Sequence, residues 1–109
     1  MTGLLMWLLV DLVSFGASPN AAIPDIVCSQ DWDCEEALEI VACESRFSPT
    51  AYNKRTKDFG LFQINQYYHA ESFPELWPNR FDPWSNTLMA WEIYKMGDNS
   101  FILWVCHGH

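Results

Sequence analysis

The chain has 109 residues, half of them apolar and 16% aromatic, with a formal charge of −8. That length suits one small domain, and the apolar and aromatic density excludes a disordered chain. The acidic balance excludes nucleic acid as a partner, because no basic surface could neutralise many phosphates.

The distribution of charge says more than its sum. Four of the six cations (Arg46, Lys54, Arg55 and Lys57) follow Glu44 closely, whereas Asp25, Asp31, Asp33, Glu35, Glu36 and Glu39 precede it. A positive patch beside one carboxylate suits an anionic polymer at that edge; a solvated loop is the plain alternative.

Residues 1–22 carry the apolar run Leu4 to Val13 and end in Ala21-Ala22, which resembles a secretory signal peptide. The match is imperfect: no Lys or Arg precedes the run, Asp11 interrupts it, and Asn20 stands where a small residue would suit cleavage. The apolar stretch is too short to span a bilayer, so export without stable membrane insertion is expected. The domain is then residues 23–109, expected to be a monomer. A chain this short often needs staples. Cys28, Cys34, Cys43 and Cys106 lack the paired spacing of a zinc site, so two disulfides and no metal are expected. Three pairings are open. Cys43 with Cys106 is preferred, because it would tie a carboxylate-bearing helix to the far end of the fold, leaving Cys28 with Cys34 as a local clasp. Six Trp exceed what so small a core hides, so some should line a groove while the rest are core.

After an Ile23-Pro24 linker, Asp33 reads as a helix cap with Glu36 at the capping-box position. Ala37, Leu38, Val41 and Ala42 mark an apolar face, and the helix should end near Glu44 or Arg46, before Pro49. Glu44 thus lies at the negative end of the helix dipole, which opposes ionisation by about 0.3–1 kcal/mol. A larger effect would require burial against apolar rings.

Residues 47–58 read as a loop with turn-prone Ser48-Pro49 and Asn53. Residues 58–65 alternate like one short extended segment. In it Gly60 allows close backbone approach, and Gln63 and Asn65 point polar groups at a ligand. Tyr67-Tyr68-His69 and residues 74–83 form a long aromatic connection, with His69 on the surface or lining a groove. Asp82-Pro83 starts a second helix whose apolar face is read as Trp84, Leu88, Trp91 and Tyr94 or Lys95, ending at Gly97. Residues 100–106 are a final short helix or turn, and His107 to His109 a frayed tail rather than a metal site.

Glu44-Ser45-x-Phe47, then Ala51, Asn53 and Gly60-Leu61-Phe62-Gln63-Ile64-Asn65, resemble the signature of the lysozyme superfamily. Asp82-Pro83 with Asn86 and Tyr94, then Trp104 and Cys106, extend the match to residues 28–106. The pattern is most similar to the soluble lytic transglycosylase-type domain (glycoside hydrolase family 23). The resemblance implies a mostly α, α+β lysozyme-like fold, disulfide-stabilised, with a short extended segment lining a saccharide groove. It implies a peptidoglycan glycan strand as substrate and no cofactor. Glu44 would be the general acid, Asn86 a brace, and Ser45, Gln63, Asn65, Tyr94 and Trp104 substrate-binding or positioning residues. Trp104 could pack on Glu44 and raise its pKa, or be core. Thr56-Lys57-Asp58-Phe59-Gly60 also resembles animal-type lysozyme, which would make Asp58 a second catalytic carboxylate. The shorter loop from Glu44 to Asp58 and the smaller cysteine set depart from that type, so the role of Asp58 stays open. A catalytically inactive wall-binding module and a structural virion or wall protein are the alternatives to an enzyme.

Overall fold

The computed structural model describes residues 21–107. The signal-peptide expectation lies outside these residues except at Ala21 and Ala22, and so does the tail beyond His107. The Ile23-Pro24 linker is in fact a short helix, α1 (Ile23–Val27). Pro24 is tolerated there because first-turn amides have no helical acceptor, and Ile26 and Val27 are buried. The Cys28–Cys34 disulfide closes the following turn. Trp32 Nε1 donates to Val27 O at 2.8 Å, holding that turn against α1.

Helix α2 (Cys34–Ser45) begins where expected, with the Asp33 side chain accepting from the Glu36 amide at 3.0 Å. It ends on two successive left-handed residues, Arg46 (φ 54°) and Phe47 (φ 61°), conformations that cost roughly 1–2 kcal/mol each outside Gly. Its buried face is Ala37, Ile40, Val41 and Ser45. Ala42, expected inside, is exposed, and Leu38 is half-buried. Ile40 has more apolar area to hide than Ala42, and it takes the core position.

The stretch expected to be loop then extended segment is a three-stranded antiparallel sheet. Strands β1 (Tyr52–Asn53), β2 (Asp58–Phe59) and β3 (Ile64–Asn65) lie in that order. The register sets Asn53 opposite Asp58 and Asp58 opposite Asn65. Residues 60–63 form a turn, not an extended run. Leu61 and Phe62 are both fully buried, and a strand would send such neighbours to opposite faces. The chain reverses at Gly60 (φ 77°) and Gln63 (φ 50°).

The aromatic connection resolves into α3 (Gln66–His69) and two 3-10 turns, Ala70–Ser72 and Trp77–Asn79. Asn65 caps α3 by accepting from the Tyr68 amide. Helix α4 (Pro83–Met96) starts at Asp82, which accepts from the Ser85 amide, and stops at Gly97, as expected. The face it buries is different: Asn86, Thr87, Met89, Ala90 and Ile93. Leu88 is exposed, and Lys95 pairs with Glu92 at the surface. Smaller side chains let α4 approach α1 and β3, while the larger rings pad its flank. There Trp91 stacks on Tyr94 at 5.5 Å, and both meet Trp32 edge-on. Residues 98–107 are turns and bends without a helix. No helix among the described residues is long and apolar enough to cross a membrane.

Asn86 joins these parts. Fully buried, it accepts from the Phe62 amide at 2.8 Å and donates to Phe59 O and Arg80 O, each at 2.9 Å. Gly60 leaves room for it: a Cβ there would collide with Asn86 Nδ2 and come 2.8 Å from Arg80 O. Asn86→Ala strands buried groups that cost about 1–3 kcal/mol each. It is expected to lower Tm by more than about 10 °C in a thermal melt. Gly60→Ala should cost more than the roughly 1–2 kcal/mol of an ordinary left-handed position in the same melt, because it also displaces that carboxamide.

Candidate functional site

Glu44 stands on the last turn of α2, half-buried, and borders two depressions. The narrower, of about 320 Å³, is lined by Glu44, Asp58, Asn65, Tyr68, His69 and Trp104, with Thr56, Gln63 and aliphatic side chains completing it. The more open one, of about 490 Å³, is lined by Ser45, Gln63 and Tyr52, and by the cations Arg46, Lys54 and Arg55. Glu44 and Gln63 border both. The cationic patch expected beside the carboxylate is therefore placed there by three of its four members. Lys57 instead donates to Tyr52 Oη at 3.2 Å.

Burial holds the Glu44 carboxyl above its ordinary value; the Cys106 amide, donating to Oε2 at 3.3 Å, opposes this, and the charge of Asp58 adds to it. The direction matches the helix-end argument, but desolvation dominates. The donor is held in place by the Cys43–Cys106 disulfide, which starts one residue before Glu44. Of the two roles considered for Trp104, the core one is observed. It is 7% exposed, donates from Nε1 to Phe62 O at 2.8 Å, and walls the cavity that Glu44 borders.

Asp58 faces the same cavity from β2. Its Oδ1 accepts from Asn65 Nδ2 at 2.8 Å and its Oδ2 from Thr56 Oγ1 at 2.7 Å. The β2–β3 register creates the first of these contacts. Asn65 is thereby a brace rather than a free ligand group, since Nδ2 also reaches Thr56 O and Oδ1 caps α3. Gln63 Nε2 is likewise spent on Ala51 O and Gly60 O. Ser45 turns its hydroxyl back to Val41 O at 3.2 Å. Tyr94 lines neither depression; its ring belongs to the cluster with Trp32, Trp91 and Phe101. Of the Trp expected in part to line a groove, Trp104 alone among the described ones lines these depressions; Tyr68, Leu103 and Val105 add exposed apolar surface. Sequence reasoning missed Thr56 and Tyr68. The Thr-x-Asp spacing was a usable signal for the first. His69 lines the cavity, and burial pushes its pKa down. No group of three or more His, Cys, Asp or Glu among the described residues is placed to hold a metal ion.

With its pKa raised by folding, Glu44 binds its proton more tightly in the native than in the unfolded chain. The stability this confers is full below the ordinary value of 4.5 and is lost as pH rises through the raised value. Glu44→Gln, which keeps an acceptor for the Cys106 amide, is expected to be at least as stable as wild type at pH 7 in urea melts. The difference should shrink or reverse below pH 4.5. Replacing Cys43 and Cys106 by Ser opens a loop of 63 residues and should cost about 4 kcal/mol in the same melts.

The family described as lysozyme-like domain matches residues 29–104, a stretch that contains Glu44, the sheet and, apart from Val105, the lining of both depressions. No curated protein and no solved structure matched. Matched over well more than half its length, the chain belongs to the lysozyme-like domain family.

Proposed function

We propose that this protein cleaves the β-1,4 bond between N-acetylmuramic acid and N-acetylglucosamine in peptidoglycan, with Glu44 as general acid. Membership of the lysozyme-like family points to peptidoglycan-directed glycosidase chemistry. The observation that carries the finer reading is one cavity shared by two carboxyl groups in unlike surroundings. Glu44 is biased toward its neutral form by burial, whereas Asp58 accepts a hydrogen bond on each oxygen. That division suits an acid that protonates the leaving oxygen and a second group that meets the developing positive charge at the anomeric carbon.

In the first step Glu44 gives its proton to the glycosidic oxygen and the bond to the anomeric carbon breaks. Asp58, held by Thr56 and Asn65, stabilises the resulting oxocarbenium character or bonds to it. Glu44, now a carboxylate, then takes a proton from water as water attacks, leaving a reducing end. Without Asp58, the substrate's acetamido group would assist, and attack by the sugar's 6-hydroxyl would leave an anhydro end. The position of Asp58 on the shared cavity favours hydrolysis. The signal-like segment at residues 1–22 and two disulfides support export to an oxidising compartment.

Turbidity clearing of purified peptidoglycan tests the proposal. Glu44→Gln is expected to lose at least about 10²-fold in rate while still binding, as is typical of removed acid catalysis. Wild-type activity should fall as pH rises through the raised Glu44 pKa, because only the protonated acid can start the reaction. Mass spectrometry of the products should show reducing ends, and Asp58→Asn should lower kcat by about 10²-fold or more. Binding without clearing by the wild type would establish a wall-binding module, and no binding at all a structural protein.

A further inference from the structure

We infer that the open depression beside Glu44 is an anion-binding shelf, and that it holds carboxylates of the peptide attached to the glycan. The inference rests on the peptidoglycan reading above and adds what selects the strand. Arg46, Lys54 and Arg55 line this depression, and its only acidic neighbour is Glu44. The chain carries 14 acidic residues against six Lys and Arg. In such a protein cations would ordinarily find partners. Yet among the described residues the one ion pair is Lys95 with Glu92, and the three shelf cations make no side-chain hydrogen bond.

The backbone beneath them is fixed. Arg46 is the left-handed cap of α2. Lys54 and Arg55 occupy the tip of the β1–β2 hairpin, where Asn53 Oδ1 accepts from the amides of Arg55 and Thr56 at 3.1 and 3.2 Å. The Lys57 amide closes that tip on Asn53 O at 2.7 Å. Two separate elements thus deliver unpaired positive charge to one hollow that borders the acid.

The chemistry of the strand decides what fits. Hydroxyl and acetamide groups of the sugars carry no charge, and the lactyl carboxyl is consumed as an amide once the peptide is attached. The remaining anions are the peptide's own carboxylates. A shelf of free cations is wasted on the sugars and matched to those groups. Since the head groups are exposed, each contact is modest and sensitive to salt.

The test uses soluble peptide-bearing glycan strands with amines acetylated, before and after conversion of the peptide carboxylates to carboxamides. The full chain is compared with Arg46→Gln/Lys54→Gln/Arg55→Gln, its fold checked by circular dichroism and by the single variant Arg55→Gln. On the carboxylate strands the triple variant should show KM raised about tenfold with kcat unchanged, an effect that fades in 0.5 M salt. On the carboxamide strands the two proteins should match. Equal losses on both strands, or on neither, overturn the inference. So does preferential competition by a soluble glycerol phosphate polymer, which would assign the shelf to phosphodiesters. Binding of the same strands measured by titration calorimetry in the Glu44→Gln background separates the two claims. Tighter binding to carboxylate than to carboxamide strands supports the shelf even if neither strand is cleaved, and that failure would count against the glycosidase alone.

Discussion

A single buried carboxamide, that of Asn86, closes the hydrogen-bond accounts of three segments that share little else. The sheet has strands of two residues, far too short to persist alone in water. Asn86 takes the Phe62 amide from its turn and gives to Phe59 O of β2 and to Arg80 O ahead of α4. Burying an amide side chain is costly unless its groups are paired, and here three contacts repay that cost. The consequence reaches the site directly. Asp58 precedes Phe59 on β2 and Gln63 follows Phe62, so the cavity wall is fixed from α4, through a residue that never touches the cavity.

The opposite wall has its own fastening. The Cys43–Cys106 disulfide joins α2 to the last turn of the described residues and places the Cys106 amide on the Glu44 carboxyl. Two effects then compete over one proton. The amide favours the ionised form, whereas burial favours the neutral form, and burial prevails. The raised pKa of Glu44 is thus a balance that neither α2 nor the turn at Cys106 could set alone. The left-handed pair Arg46 and Phe47 follows directly, so the chain turns off the helix axis immediately beyond this carboxyl.

The errors of sequence reading share one cause. Both long helices were legible in their caps, Asp33 and Asp82 with Pro83 and Gly97, because capping is local chemistry. Their buried faces were read less well. In α4 the sequence reading puts the largest rings in the core, yet the buried positions are Asn86, Thr87, Met89, Ala90 and Ile93. Which stripe of a helix is covered depends on what approaches it, and that is not written in the helix. The sheet was missed for the same reason, since two-residue strands carry no period of their own. Tyr94, a substrate-binding or positioning residue by resemblance, has its ring in an aromatic cluster around Trp32.

By itself the sequence determined the acid at the end of a capped helix, the cysteines available to clamp it, the cationic run that follows, and the glycine a tight reversal requires. Each of these depends on covalent order or on a few neighbouring residues. Only the tertiary structure decided that Asp58 and Glu44 share one cavity, that Asn65 and Thr56 orient Asp58, and that Arg46 meets Lys54 and Arg55 around one hollow. Those relations are set by register, burial and long-range closure. The strength of a carboxylic acid in a cleft follows from what surrounds it, and surroundings are assembled from parts of the chain that are distant in sequence.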